Sequence, residues 1–378
     1  MMAGKVRNSM AVGFLLSLQV CSIGRAETTA GPAASHCRQN PAAEAARQTP
    51  GDLQRLKAAG EACFHAEQWR ESAYWLSGAY RLSHADREIG YELATAEMRA
   101  DDLSSAERQL EQMFAQEDTA KLHGLRGELL EIKGDHSGAA REYYRAVELE
   151  TTEDNLFELA DFLLQHKKYD GYLSESVKFF RYGVSKFANS AKMHVGLGVA
   201  LYASEEYDEA VKTLCKAVDL APADPKPITF LGMARRVSPE LAQEVDARIK
   251  DFAERYPGNP AANYEYALSL WDRQGGEAGK NLDEIDRLLL KAIASAPQWY
   301  EPHYQLGLSY EKQGRYADAI GAMRKASQLQ PAFKPAHFRL AILYKRIGDQ
   351  QHAAAEAAKA RQLDNTEIES ATFKSANN

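Results

Sequence analysis

His303-Tyr304-Gln305-Leu306-Gly307-Leu308-Ser309-Tyr310, followed by Gly314, Tyr316, Ala319, Ala326 and Pro331, carries the most regular pattern in the chain. A second stretch answers it: His194-Val195-Gly196-Leu197-Gly198-Val199-Ala200-Leu201, with Tyr207, Ala210, Ala217 and Pro222 at the same offsets. Using the small residue as a marker, the pattern extends to Gly60, Ala94, Gly127, Ala160, Gly198, Gly232, Ala267, Gly307 and Ala341, at spacings of 34, 33, 33, 38, 34, 35, 40 and 34. Two antiparallel helices of about a dozen residues, with two short turns, consume roughly 34 residues. Nine units therefore run from about Leu53 to Thr366.

The same register predicts the packing. Ala79, Ala146, Ala217, Ala292, Ala326 and Ala360 recur in the second helix, beside Leu76, Leu110, Tyr143, Leu214, Leu289 and Met323. That is an i, i+3 apolar stripe. Trp69, Tyr207 and Tyr316 share one slot near the turn within a unit, and Gly134, Gly314 and Gly348 sit in the turn itself, where a helix end favours a left-handed residue.

With Leu-Gly and then Tyr in the first helix, Ala in the second and Pro near the end, the units resemble the tetratricopeptide-repeat family over more than four-fifths of the chain. The resemblance implies an all-α fold, a right-handed superhelical solenoid of stacked antiparallel helix pairs. Glu97 and Arg235 stand where that family usually buries an aromatic residue or Leu, so units two and six are read as degenerate and looser. The sixth, near residues 225–258, is surrounded by Pro222, Pro225, Pro227 and Pro239 and is the expected bend. The long spacings require insertions, placed as loops at Tyr169 to Ser176 and Gln274 to Asn281.

In the family the first helices line a concave surface that binds protein or peptide partners. Carrying its groove slots over assigns Tyr202, Tyr264, Leu268, Trp271, Tyr304, Leu308, Phe338 and Ile342 to that surface, with Arg236, Lys312, Lys345 and Arg346 adding positive charge and Asp272, Glu301 and Glu311 partly offsetting it. Exposed aromatic and apolar clusters of this kind are costly unless a partner covers them. The N-terminal slots hold Lys57, Glu61, Glu88, Glu128, Glu131, Asp154 and Asp161, a more acidic strip. None of the assigned slots holds Asn, so the clamp with which one subclass grips chaperone tails is not expected.

The ends suggest export. Lys5 and Arg7 precede an apolar run from Ala11 to Val20, and Gly24 and Ala26 flank a cleavage point, as in a secretory signal over residues 1–26. The run is about half the ~20 residues that span a bilayer. Residues 27–52, rich in Ala, Pro and Thr without an apolar period, read as a flexible leader, and 367–378 as a cap or tail. Loss of Lys5, Arg7 and Arg25 with the signal moves the formal charge from -7 to -10. An acidic chain with no local Lys/Arg run is a poor nucleic-acid binder. Cys37, Cys63 and Cys215 would remain; Cys37 and Cys63 could bridge, and the simpler reading is three buried or idle thiols. The expected location is the periplasm or the outside of a bacterial cell.

No constellation for catalysis stands out. The ten histidines form no His-Glu-x-x-His pair, and there is no Cys-x-x-Cys, phosphate loop or Gly-x-Ser-x-Gly elbow. His194, His303 and His337 share one slot and are read as packing residues. The expectation is a non-catalytic binding scaffold without cofactor or metal; the alternatives are a structural subunit of an envelope or secretion machine, or an enzyme with an unrecognised site.

Overall fold

The 34-residue period is realised as helix pairs. A computed structural model describes residues 40–235, 239–273 and 281–376, and among the described residues there are nineteen α-helices, one 3-10 turn and no strand. The chain divides into two units between Asn189 and Ser190. The first holds α1 (Pro41–Gln48), α2 (Leu53–His65), α3 (Trp69–Leu82), α4 (Arg87–Arg99), α5 (Leu103–Phe114), α6 (Ala120–Ile132), α7 (His136–Leu149), α8 (Glu153–Gln165) and α9 (Tyr172–Lys186). The second holds α10 (Ala191–Ala203), α11 (Tyr207–Leu220), α12 (Pro225–Ala234), α13 (Ala242–Arg255), α14 (Pro260–Arg273), α15 (Leu282–Ser295), α16 (Tyr300–Lys312), α17 (Tyr316–Leu329), α18 (Lys334–Arg346) and α19 (Gln350–Ala376). From α2 onward even-numbered helices are the first of a pair and odd-numbered ones the second, and within each unit consecutive helices pack on one another.

Local chemistry explains where the helices begin. Asp52, Asp86, Thr119, Thr152, Ser190, Asp224 and Asn259 each lie eight residues before a marker and accept a hydrogen bond from a backbone N–H two or three residues on, at 2.9 to 3.4 Å. Such N-caps satisfy donors that the first turn leaves open. The turn inside most pairs is equally regular. Gln68, Asp102, Asp135, Glu206, Arg315 and Asp349 each donate their N–H to the carbonyl five residues back, at 2.9 Å. That closure requires a left-handed residue, supplied by Glu67, Asp101, Gly134, Glu205, Gly314 and Gly348, with φ from 56° to 84°. Gly134, Gly314 and Gly348 meet the sequence expectation. Glu67, Asp101 and Glu205 adopt the same conformation at about 1 kcal/mol each, a cost borne by the surrounding closure.

The markers do what their size implies. The six expected second-helix alanines are at most 6% exposed, and Leu76, Leu110, Tyr143, Leu214, Leu289 and Met323 are buried beside them. A Cβ on Gly60, Gly127 or Gly198 would come within 2.6, 2.9 and 2.6 Å of Leu76, Tyr143 and Leu214, in each case the residue sixteen positions on. Trp69 and Tyr207 each meet a ring five residues earlier, Phe64 at 5.1 Å and Tyr202 at 5.4 Å, across the turn within their pair.

Four sequence readings need correction. The leader is not uniformly irregular: Asn40 caps α1, and Ala43 and Ala46 are fully buried in the core formed with α2 and α3. Small apolar residues three apart are enough for one face of a short helix, a signal hidden in an Ala-rich segment. The insertion placed at Tyr169 to Ser176 is a loop only as far as Gly171, because Tyr172 opens α9. Its counterpart at residues 274–280 lies outside the described residues, as do residues 1–39. Cys63 is disulfide-bonded, so it is no idle thiol; its expected partner Cys37 lies outside the described residues, while Cys215 is free and buried.

The sixth pair is the fourth case. Here α12 packs more against α14, the next first helix, than against its own partner α13. Arg235 does not loosen it. Its Nη1 lies 3.4 Å from Asp246 of α13, and its Nη2 bonds Asp272 of α14, so the guanidinium ties three helices together.

Candidate functional site

Seven first helices start on a polar cap. The last two do not: the slot eight residues before the marker holds Trp299 before α16 and Phe333 before α18, and neither makes a side-chain cap. Losing a cap costs about 1 kcal/mol. What stands there instead is aromatic surface. The Trp299 ring lies 4.7 Å from Tyr264 of α14, and Phe333 lies 4.8 Å from Tyr300 and 5.0 Å from Tyr304, both of α16. Sequence reasoning missed both residues, although the broken cap pattern marks them at a constant offset.

Around these rings the first helices α14, α16 and α18 form one strip. Trp271 of α14 lies under the Lys312 ammonium of α16 at 5.2 Å, a cation–π contact. Arg339 of α18, also missed from sequence, stands 3.7 Å from Glu311, joining α16 to α18, and its charge acts on the Tyr304 hydroxyl. Burial raises the Tyr304 pKa, partly offset by that arginine, so the phenol stays protonated and available as a donor. Phe338 is 57% exposed on α18, and Ile342 one turn further is half-buried. Arg346 reaches back to Tyr316, 5.1 Å over the ring and 3.4 Å from its hydroxyl.

Of the residues assigned to the groove, the structure brings Tyr264, Trp271, Tyr304, Leu308, Lys312, Phe338, Ile342, Lys345 and Arg346 onto these three helices. Leu268 is corrected: at 8% exposed it is buried, although it shares a helix face with Tyr264 and Trp271, which are its larger neighbours one turn to either side. Tyr202 lies apart, half-buried against Tyr207 and the core around α11 and α12. Arg236 lies outside the described residues.

The acids of the strip are mostly engaged. Asp272 pairs with Arg235 and Glu311 with Arg339. Glu301 is half-buried, its carboxyl raised by burial against hydrogen bonds from its own backbone and from Tyr300 and Trp299. Lys312, Lys345 and Arg346 are exposed, and among the described residues no carboxylate pairs with them.

The acidic strip of the first unit differs in kind. Glu61 pairs with Lys57 at 3.6 Å, Glu88 with Lys121 at 3.0 Å and Glu128 with Arg99 at 2.8 Å. Glu131 accepts from the Tyr143 hydroxyl at 3.2 Å and meets His166 at 2.9 Å. These carboxylates are therefore largely committed within the chain. Glu97, which lies outside that strip, differs: burial and the neighbouring Asp102 push its pKa up to about 7, and one of its oxygens has no hydrogen-bond partner among the described residues. A carboxyl raised on folding binds its proton more tightly when folded, so stability is greatest below the ordinary value of 4.5 and falls as pH rises towards about 7. Urea unfolding of Glu97→Gln should accordingly match the parent at pH 4.5 and exceed it by about 1–2 kcal/mol at pH 8, after allowing for solvent screening. Parallel curves at both pH values would remove Glu97 as the cause.

The shared histidine slot is structural. His194, His303 and His337 are 5 to 9% exposed. Nε2 of His303 meets the Pro297 carbonyl at 3.2 Å and that of His337 the Pro331 carbonyl at 2.9 Å, each six residues back. Asn263 does the same in α14, donating to Pro257 at 2.9 Å. In those three helices the slot pins the turn between pairs, a polar task beyond the packing role expected, whereas His194 meets the Ser190 carbonyl four residues back at 2.8 Å. Among the described residues no three His, Cys, Asp or Glu side chains are placed to hold a metal, and no helix is long and apolar enough to cross a membrane.

Three stretches of the chain, residues 91–154, 191–224 and 300–333, match family models for the tetratricopeptide repeat. Comparison with curated proteins finds no match. Among solved structures, MamA is 20% identical, with 46% of this chain and 97% of that chain covered at a TM-score of 0.39. TTC0263, a thermophilic TPR protein of Thermus thermophilus, is 24% identical, covering 50% and 98% at 0.38. YrrB, a TPR protein with an unusual peptide-binding site, is 18% identical, covering 52% and 96% at 0.38. At those scores the likenesses carry no argument about the site.

Proposed function

The chain is a tetratricopeptide-repeat protein, and from that premise we propose that it is a non-catalytic scaffold holding a polypeptide against α14, α16 and α18. Folds of this kind are typical of protein–protein interaction scaffolds. The observation that carries the reading is the exchange of polar helix caps for Trp299 and Phe333 beside Tyr264, Tyr300 and Tyr304. Two helix starts forgo stabilisation, and the rings gained extend an aromatic strip of the kind that anchors interfaces. An exported location fits the disulfide at Cys63, since such bonds persist in oxidising compartments.

Trp271→Ala and Tyr304→Ala should each weaken partner binding by about 2 kcal/mol or more, the loss typical of a true aromatic anchor. Affinity capture from envelope extract, followed by titration of the captured partner, measures this. Helicity and melting temperature must stay near those of the parent, because core damage would imitate the loss. Normal binding by both variants would move the interface to another face.

A further inference from the structure

The charge left over on this strip identifies the chemistry of what it holds. Resting on the reading above, we infer that the occupant is an acidic peptide segment, one that sets Asp or Glu side chains beside a large apolar residue. The apolar part is supplied by Trp271, Tyr304 and Phe338. The charge argument rests on which groups are already satisfied. Asp272 and Glu311 are neutralised by Arg235 and Arg339, whereas the exposed Lys312, Lys345 and Arg346 have no carboxylate beside them among the described residues.

Position reinforces this. Lys312 is the last residue of α16 and Arg346 the last of α18, with Lys345 next to it, so the surplus cations gather at the same end of neighbouring first helices. Cations there also complement the negative ends of the helix dipoles, which holds them in place without consuming their hydrogen-bonding capacity. Lys312 lies over the Trp271 ring, so a carboxylate reaching that ammonium brings its own neighbours onto an aromatic surface. Complementary charge at such a rim selects partners and speeds their encounter more than it adds affinity. Three cations on two helix ends call for several carboxylates, which side chains supply and a single chain terminus does not.

A phage library displaying random twelve-residue peptides at their N-terminal end, with no free peptide carboxyl terminus, should be panned against the full chain. The expected result is a set of binders enriched in Asp and Glu next to Phe, Trp or Leu. Synthetic copies, amidated at the C-terminus, should bind at least ten-fold more weakly to a Lys312→Glu/Lys345→Glu/Arg346→Glu variant of unchanged melting temperature. Raising salt should weaken the parent complex and leave the variant little changed. Binders that depend on Trp271 but show no acidic enrichment would overturn this inference while leaving the groove intact. Binders indifferent to Trp271→Ala, or the absence of any binder, would overturn the groove and the inference together.

Discussion

Arg235→Met is expected to destabilise the second unit by about 3–5 kcal/mol, the range for removing one partner of a buried ion pair. The guanidinium is 7% exposed and Asp246 only 4%, so the substitution takes a nearby cation from a carboxyl group that stays buried. Asp272 would lose a partner as well, but at 34% exposed it can be solvated. Methionine replaces the volume of the stem, which separates the electrostatic loss from a cavity. The companion variant Arg235→Met/Asp246→Leu removes both charges and should recover most of the loss, as apolar replacements of buried pairs often do. Urea unfolding of the parent and both variants measures this. A single variant within about 1 kcal/mol of the parent would show that α12, α13 and α14 are held by apolar packing alone.

How much could be read in advance follows from which interactions repeat. Gly60, Gly127, Gly198 and Gly307 recur because each pair must close to the same distance, so steric demand writes a period into the chain. The caps Asp52 to Asn259 recur for the same reason, since every first helix opens the same unsatisfied donors. Interactions that occur once leave no period. Arg235 finds Asp246 eleven residues on and Asp272 thirty-seven on, spacings set by this one degenerate pair, and its sequence alone read as a defect. Arg339 and Glu311 are likewise invisible until α16 and α18 are side by side. Leu268 went wrong for a different reason: it shares its slot with the half-buried Leu308 and Ile342 and yet is 8% exposed, so a slot fixes the face of a side chain and not how far its neighbours cover it. Trp299 and Phe333 were legible in principle, as breaks in the cap pattern, but only once the caps themselves had been recognised. The sequence thus named aromatic residues that the structure gathers on α14, α16 and α18, and missed Arg339, Trp299 and Phe333, which link those helices.

Gly307→Leu should cost about 3 kcal/mol, the upper part of the range for overpacking a closed contact. A Cβ there would lie 2.5 Å from Met323 Cγ, 3.2 Å from its Cε and 3.3 Å from the Ala319 carbonyl oxygen. The end of the methionine can swing aside, but its Cγ is near the backbone and the carbonyl belongs to α17, so the two helices must separate. Gly321 is the control: it lies on the exposed side of α17, with nothing within 4 Å of its missing Cβ. Gly321→Ala should therefore raise stability by about 0.5–1 kcal/mol through helix propensity alone. Opposite signs in thermal or urea unfolding are the expected result, and equal shifts would show that Gly307 is not a close-approach position. The same displacement reaches the site, because Tyr304 and Leu308 flank Gly307 on α16 and pack against the core that includes Met323. Moving that helix away from α17 shifts Tyr304 relative to Phe333 and Arg339, so peptide binding should weaken even at temperatures where the variant remains folded.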